Sequence, residues 1–275
     1  MHLILFRWMA LCIVALFLFF LCGCGGNSGY IAVSGNAGLG EPSACDVLIV
    51  RDGYTLGYNY EKRQALWVSY ILEKAHLTGS QVKRTDDFRI DPSVRIDPVD
   101  PREYIRSGFD RGHLAPAADM AYSGKVMSES FFMSNMSPQL PGCNRRSWLA
   151  VEQILRGWAK REGRLYIVTG AVFTPFKGKI PERFRIAVPG HFYKVVLDLT
   201  PPYKMIGFIV PNENVKFHSA EDFAVSVDEV EKITGYDFLT SWMMNLKKNL
   251  KRRIILINGG NRECSGELPQ VLPLL

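Results

Sequence analysis

From residue 45 onward, short apolar runs alternate with polar breaks marked by glycine and proline. Val47–Val50 is one such run, Asp52-Gly53 is a turn signal, Tyr54–Tyr58 alternates weakly, and Ala65–Leu72 is rich in strand formers; together they predict a strand meander. Phe131–Met136, Leu165–Thr169, Phe192–Leu197 and Met205–Val210 are further strand candidates. Between Arg145 and Glu162 the residues Trp148, Leu149, Val151, Ile154, Leu155 and Trp158 recur close to the helical period. Ala220–Thr234 reads as a second helix, stopped by Gly235. Residues 83–108 are polar and interrupted by Asp91-Pro92, Asp97-Pro98 and Asp100-Pro101, which predicts a long surface loop of the kind that often carries function. With no internal repeat and no linker between residues 45 and 264, the pattern supports one α+β domain, a mixed or antiparallel sheet with helices.

The N-terminus follows a different pattern. Arg7 precedes an apolar run from Trp8 to Leu21, which is the layout of a signal peptide and shorter than a spanning helix. Leu21-Cys22-Gly23-Cys24 resembles the lipobox of bacterial lipoproteins, which implies cleavage before Cys24 and lipid on its thiol. An uncut signal anchor or an ordinary secretory signal is the alternative. Residues 24–44 are rich in Gly, Ser, Ala and Asn and read as a flexible tether. The expected layout is therefore signal 1–23, tether 24–44 and domain 45–275, in an exported, membrane-anchored protein on the periplasmic or cell-surface side. Of six cysteines, Cys45, Cys143 and Cys264 lie beyond the signal without metal-ligand spacing. A Cys45–Cys264 disulfide and an unpaired buried thiol both stay open.

Composition narrows the class. A chain of 275 residues with 47% hydrophobic and 22% charged residues is neither disordered nor collagen-like. The formal charge of +6 suits a polyanionic partner without establishing one.

The candidate chemistry lies between residues 109 and 152. Arg111 and His113 flank a glycine, and in a strand that spacing puts both on one face. A neutral imidazole can take a proton from water, and a guanidinium can grip two phosphate oxygens. The pair suits attack on a phosphate ester; taken alone it also suits a surface histidine beside a salt-bridged arginine. On a helix starting near Asn144, residues 144, 148 and 152 share a face, so an amide oxygen and a carboxylate stand about 12 Å apart along the axis. Such a pair cannot chelate one ion directly together but can share it through water, which suits Mg²⁺. A helix cap at Asn144 and a solvated helix face at Glu152 are the structural alternatives.

Asp110-Arg-Gly-His113, then Ser134-Asn135-Met-Ser-Pro-Gln139, Asn144 and Glu152, in this order and spacing, resemble the DNA/RNA non-specific endonuclease family of ββα-metal nucleases, which includes the endonuclease G type. The resemblance spans about residues 46–258 and takes in Val47–Tyr54, Arg84–Phe88, Gly170 and Val188–Lys194. It implies an endonuclease for DNA and RNA that leaves 5′-phosphate and 3′-hydroxyl ends, with Mg²⁺ as cofactor and Mn²⁺ as substitute. His113 becomes the general base, with its pKa lowered by Arg111 and the metal. Asn144 becomes the direct metal ligand, and Glu152 orients water around the ion. Arg111 stabilises charge on the phosphate and Asn135 steadies the site. A second arginine falls on Arg84 or Arg89, with Arg84 preferred. A homodimer and a protein inhibitor stay open as partners. A rival reading, a nucleic-acid-capturing lipoprotein on the same fold, is disfavoured by the intact His113, Asn144 and Glu152 set.

The remaining features take structural readings. His191 reads as a structural histidine, His76 and His218 as solvent-facing, and Trp67, Trp148 and Trp158 as core. Lys247–Arg253 holds five positive charges, which suit phosphates or an anionic membrane surface, with a solvated helix face as the default reading.

Overall fold

The computed structural model describes residues 35–180 and 185–238 and builds the meander as β1 (Val47–Val50), β2 (Thr55–Asn59) and β3 (Gln64–Glu73). There follow α1 (Lys74–Thr78), β4 (Asp110–His113), α2 (Gly124–Glu129), β5 (Met136–Gln139) and α3 (Leu149–Glu162). Then come β6 (Arg164–Val172), β7 (Lys179–Ile180), β8 (Ile186–Ala187), β9 (His191–Asp198), β10 (Met205–Pro211), β11 (Ala224–Val225) and α4 (Val227–Thr234). Seven strands form one sheet in the order β1-β2-β3-β6-β9-β10-β11, and every pairing in it is antiparallel. The α+β class is thus observed, with the antiparallel form of the sheet.

The core sits between this sheet and α3. Val151, Leu155, Trp158 and Ala159 are the buried apolar residues of α3, spaced at three and four as a helix face requires. Trp158 packs on Phe208 of β10 with ring centroids 6.0 Å apart, and Trp148, just ahead of α3, packs on Phe192 of β9 at 5.5 Å. Trp67, Trp148 and Trp158 are all buried. Gly57 makes room for the Trp67 indole: a Cβ there would lie 2.5 Å from the ring.

Two elements differ from the pattern-based expectation. Phe131–Met136 is not a strand. It passes through a 3₁₀ turn at Met133–Asn135, and the strand is displaced to Met136–Gln139. Pro138 hid it, because proline is excluded from interior strand positions, yet β5 pairs only with β4 and has a free edge to accommodate it. The helix over Ala220–Thr234 is also shorter. Ala220–Phe223 is a 3₁₀ turn, and α4 begins only after Ser226, whose hydroxyl caps the Glu229 N–H at 3.1 Å. Gly235 ends it in the left-handed conformation, at φ 72°.

The segment 83–108 has little regular structure, as expected, but its inner side is buried. Arg63 ion-pairs with Glu103 at 2.7 Å, and Arg51 and Ser134 both bond Asp91 at 2.5 Å. These contacts hold the segment against the domain and bring its first residues to the β4–β5 hairpin. His76 is not simply solvent-facing: it stacks on Tyr122 with centroids 3.7 Å apart, while His218 is exposed. Among the described residues Cys45 and Cys143 have no disulfide partner, and Cys143 is buried. Cys264, the signal residues with Cys24, and Lys247–Arg253 lie outside the described residues.

Candidate active site

β4 and β5 pair antiparallel, and the chain then enters the helix that leads into α3, so two strands and a helix enclose the candidate residues. Gly112 pairs with Ser137, and the Gln139 side chain leans over it: a Cβ at residue 112 would lie 2.1 Å from Gln139 Oε1, so only glycine lets that amide lie over β4. Pro141 and Gly142 are already helical, and Cys143–Trp148 form a π-helical turn before α3. Asn144 is therefore inside the helix and is not its cap. Its side chain is committed elsewhere, with Nδ2 donating to Asp110 Oδ2 at 2.9 Å. Asp110 also receives Arg145 through Nε at 2.8 Å and Nη2 at 2.7 Å. Burial raises the Asp110 pKa, but the bonds from Arg145 and Asn144 outweigh it and hold the carboxyl below its ordinary value. With Nδ2 engaged, Asn144 is left with Oδ1 as its free donor atom.

His113 ends β4 and is buried, at 8% exposure. Two rings meet it edge-on, Phe131 at 4.8 Å and Phe88 at 5.6 Å between centroids. Each of these rings carries an arginine: Arg84 lies 4.8 Å over Phe131 and Arg111 lies 4.3 Å over Phe88. The stack Arg84–Phe131–His113–Phe88–Arg111 sets two guanidinium groups around the imidazole, and Arg84 is also ion-paired with the exposed Asp86 at 2.6 Å. His113 Nε2 is buried and has no hydrogen-bond partner among the described residues. Burial and then the Arg84 charge push the His113 pKa down to about 3. The direction agrees with the sequence-based expectation, but the protein causes are burial and Arg84, not Arg111. Arg89 turns away, bonded to Asp87 Oδ2 at 2.7 Å and the Ser128 carbonyl at 2.8 Å and stacked 4.0 Å over Phe132.

Asn135 lies behind the hairpin, fully buried. Its Oδ1 accepts from Ala115 N at 2.9 Å, and its Nδ2 donates to the carbonyls of Ala115 at 3.0 Å and Ser130 at 2.9 Å. The whole amide is spent on backbone, so Asn135 fixes the turn that follows His113 and has no atom left for a ligand.

Glu152 is buried at 9% exposure, on the same side of α3 as Val151 and Leu155, and is not on a solvated face. Burial raises its pKa; the Lys194 ammonium opposes this most strongly, Asp119 adds to it, and Arg156 and Arg84 oppose it. Arg84 is thus felt by both His113 and Glu152. Four residues of this network were not singled out from sequence as chemical: Asp119, Arg156, Lys194 and Tyr70. Arg156 reaches Asp119 at 2.8 Å and Glu152 at 3.8 Å, and Tyr70 Oη donates to Asp119 at 3.0 Å. The signal for Glu152 and Arg156 was available: a carboxylate inside an apolar helical stripe, with an arginine four residues on. Trp148, between Asn144 and Glu152, donates its indole N–H to the His113 carbonyl at 3.2 Å.

No group of three or more His, Cys, Asp or Glu side chains suited to a metal occurs among the described residues. The donor set that is present is the Asn144 amide oxygen, with the Glu152 carboxylate eight residues further along the helix. These hard oxygen donors fit an ion such as Mg²⁺ that keeps most of its waters.

The profile of the DNA/RNA non-specific endonuclease family matches residues 35–243. A nuclease from Nostoc sp. is 32% identical over 239 residues, covering 78% of this chain and 84% of the relative. Human mitochondrial endonuclease G is 33% identical over 202 residues, covering 69% of this chain and 68% of the relative. A solved structure of EndoG in complex with EndoGI superposes with a TM-score of 0.68 at 27% identity, covering 74% of this chain and 89% of that one. This chain belongs to the DNA/RNA non-specific endonuclease family.

Proposed function

We propose that this endonuclease is metal-dependent, cuts DNA and RNA without sequence preference, and is held at a membrane by lipid on Cys24. The observation that carries the catalytic part is one short strand, β4, that ends in the buried, unpartnered imidazole of His113 and begins with Asp110, which orients the Asn144 amide. His113 is neutral at physiological pH and accepts the proton of the attacking water. Arg111 and Arg84, held on Phe88 and Phe131, bind the scissile phosphate and stabilise the charge that builds on its oxygens. Asn144 Oδ1 would hold the ion, Glu152 would orient water beside it, and Asn135 keeps the turn after His113 in place. Mg²⁺, or Mn²⁺ in its stead, would neutralise charge on the phosphate and the leaving oxygen when bound. Contacts aimed at phosphate carry no base information, which accounts for the absence of sequence preference and the acceptance of both polymers. The expected products carry 5′-phosphate and 3′-hydroxyl ends.

Export and anchoring rest on Leu21-Cys22-Gly23-Cys24 and the apolar run before it. The likeness to an EndoG structure solved in an inhibited complex supports a protein inhibitor as a partner. The test is degradation of supercoiled plasmid and single-stranded RNA with Mg²⁺ and with a chelator. Loss of both substrates in Mg²⁺ and of neither in chelator is expected; equal degradation in chelator would remove the metal from the mechanism.

A further inference from the structure

Among the described residues, Lys194 is the only buried lysine, and nothing in the mechanism above uses it. It stands in the middle of β9, under the helix that carries Asn144 and Glu152. An ammonium in a core loses its hydration and persists only where polar groups compensate. The two buried carboxylates whose charges it feels most, Glu152 and Asp119, both ion-pair with Arg156. Lys194 Nζ is instead held by Thr169 Oγ1 at 3.3 Å, by the Leu114 carbonyl at 3.5 Å and by the Trp148 ring, 4.3 Å from its centroid. Thr169 gives its own hydroxyl proton to the Tyr193 carbonyl, so its oxygen is available to accept.

These contacts converge on the active site from below. Leu114 is the residue after His113, and the Trp148 indole N–H holds the His113 carbonyl. One ammonium thus contacts the Leu114 carbonyl directly and the His113 carbonyl through Trp148. Trp148 also lies between Asn144 and Glu152 along the helix.

We propose that Lys194 is a positioning residue of the nuclease site, fixing the backbone after His113 and the helix at Trp148, between Asn144 and Glu152, through the Leu114 carbonyl and the Trp148 ring. The inference deepens the nuclease reading and rests on it. Lys194 reaches no substrate. Its charge also favours the carboxylate form of Glu152, alongside Arg156 and Arg84 and against Asp119, with Tyr70 hydrogen-bonded to Asp119 on the β3 side.

The test is Lys194→Met in the full chain, which keeps an unbranched side chain and removes the charge. The variant should fold with a lowered Tm, because removing one cation from a buried set leaves the Glu152 and Asp119 carboxylates less compensated. Its kcat on plasmid DNA should fall about 10–100-fold, the usual cost of losing a group that orients a site, while KM stays within about threefold. The acid limb of kcat/KM should move to higher pH, and the Trp148 indole N–H resonance, assigned with Trp148→Phe, should shift. A folded variant with parental kcat, an unmoved acid limb and an unmoved indole resonance overturns the proposal. If Lys194→Met does not fold, Thr169→Val deletes one acceptor of the ammonium. A several-fold loss of kcat with a shifted indole then supports the proposal, and parental values of both overturn it. The indole resonance needs no turnover, so it decides the Lys194 contact even if the parent chain cleaves no nucleic acid, a result that would remove the nuclease reading instead.

Discussion

Asn144 Nδ2 donates to Asp110 Oδ2 at 2.9 Å, so the first residue of the Asp-Arg-Gly-His run determines which end of the Asn144 amide is free. Arg145 locks the same carboxylate from its exposed side at 2.7 Å, which leaves Asp110 little freedom to rotate. Asp110→Ala should free the amide to turn and weaken Mn²⁺ binding about 10–100-fold, the usual cost of losing a group that orients a metal ligand. Asn144→Ala should abolish the binding. Titration of each protein by Mn²⁺ electron paramagnetic resonance separates the cases, and unchanged affinity in Asn144→Ala would exclude it as the ligand.

The pH dependence should come from Glu152. His113, pushed down to about 3, is already neutral through the accessible acid range and contributes no limb there. Burial raises the Glu152 pKa, and a carboxylate is the form that orients water, so kcat/KM should rise as pH climbs through that raised value. Glu152→Gln should flatten the limb and lower the plateau. A pH–rate profile of Glu152→Gln that keeps the parental limb would return the ionisation to another group.

Arg84 and Arg89 should separate by kinetics. Removing a cation aimed at developing charge typically costs about 10²–10³ in kcat, so Arg84→Ala should fall in that range. Arg89→Ala loses bonds to Asp87 and Ser128 and the Phe132 stack, and should instead lower stability by about 1–3 kcal/mol with kcat nearly kept. Urea unfolding and steady-state rates measured on both variants check the division.

The anchor is tested by mass. Protein extracted from membranes should carry a diacyl or triacyl addition at Cys24, and Cys24→Ser should leave the chain unprocessed or soluble. An unmodified Cys24 thiol on the extracted protein would end the lipoprotein reading.

Much of the fold was legible because its strands are apolar and β-branched: β3, β6, β9 and β10 lie where the runs Ala65–Leu72, Leu165–Thr169, Phe192–Leu197 and Met205–Val210 place them. β5 was not, since its proline contradicts strand propensity and only pairing with β4 sustains it. The order of Asp110, Arg111, His113, Asn144 and Glu152 was readable as a motif. Much of what supports them was not, because it is assembled from distant segments: Phe88 and Phe131 around His113, and Asp119 and Lys194 around Glu152. Linear spacing carries no information about such contacts. The π-helical turn at Cys143–Trp148 is a further case, since it arises where the helix meets the hairpin and no periodicity announces it.

The most direct test of the account is the cleavage rate of His113→Ala on supercoiled plasmid in saturating Mg²⁺, with circular dichroism to show that the fold survives. Loss of the general base should cost about 10²–10⁴-fold in rate. A folded His113→Ala protein that degrades plasmid at the parental rate would contradict both the base assignment and the mechanism built on it.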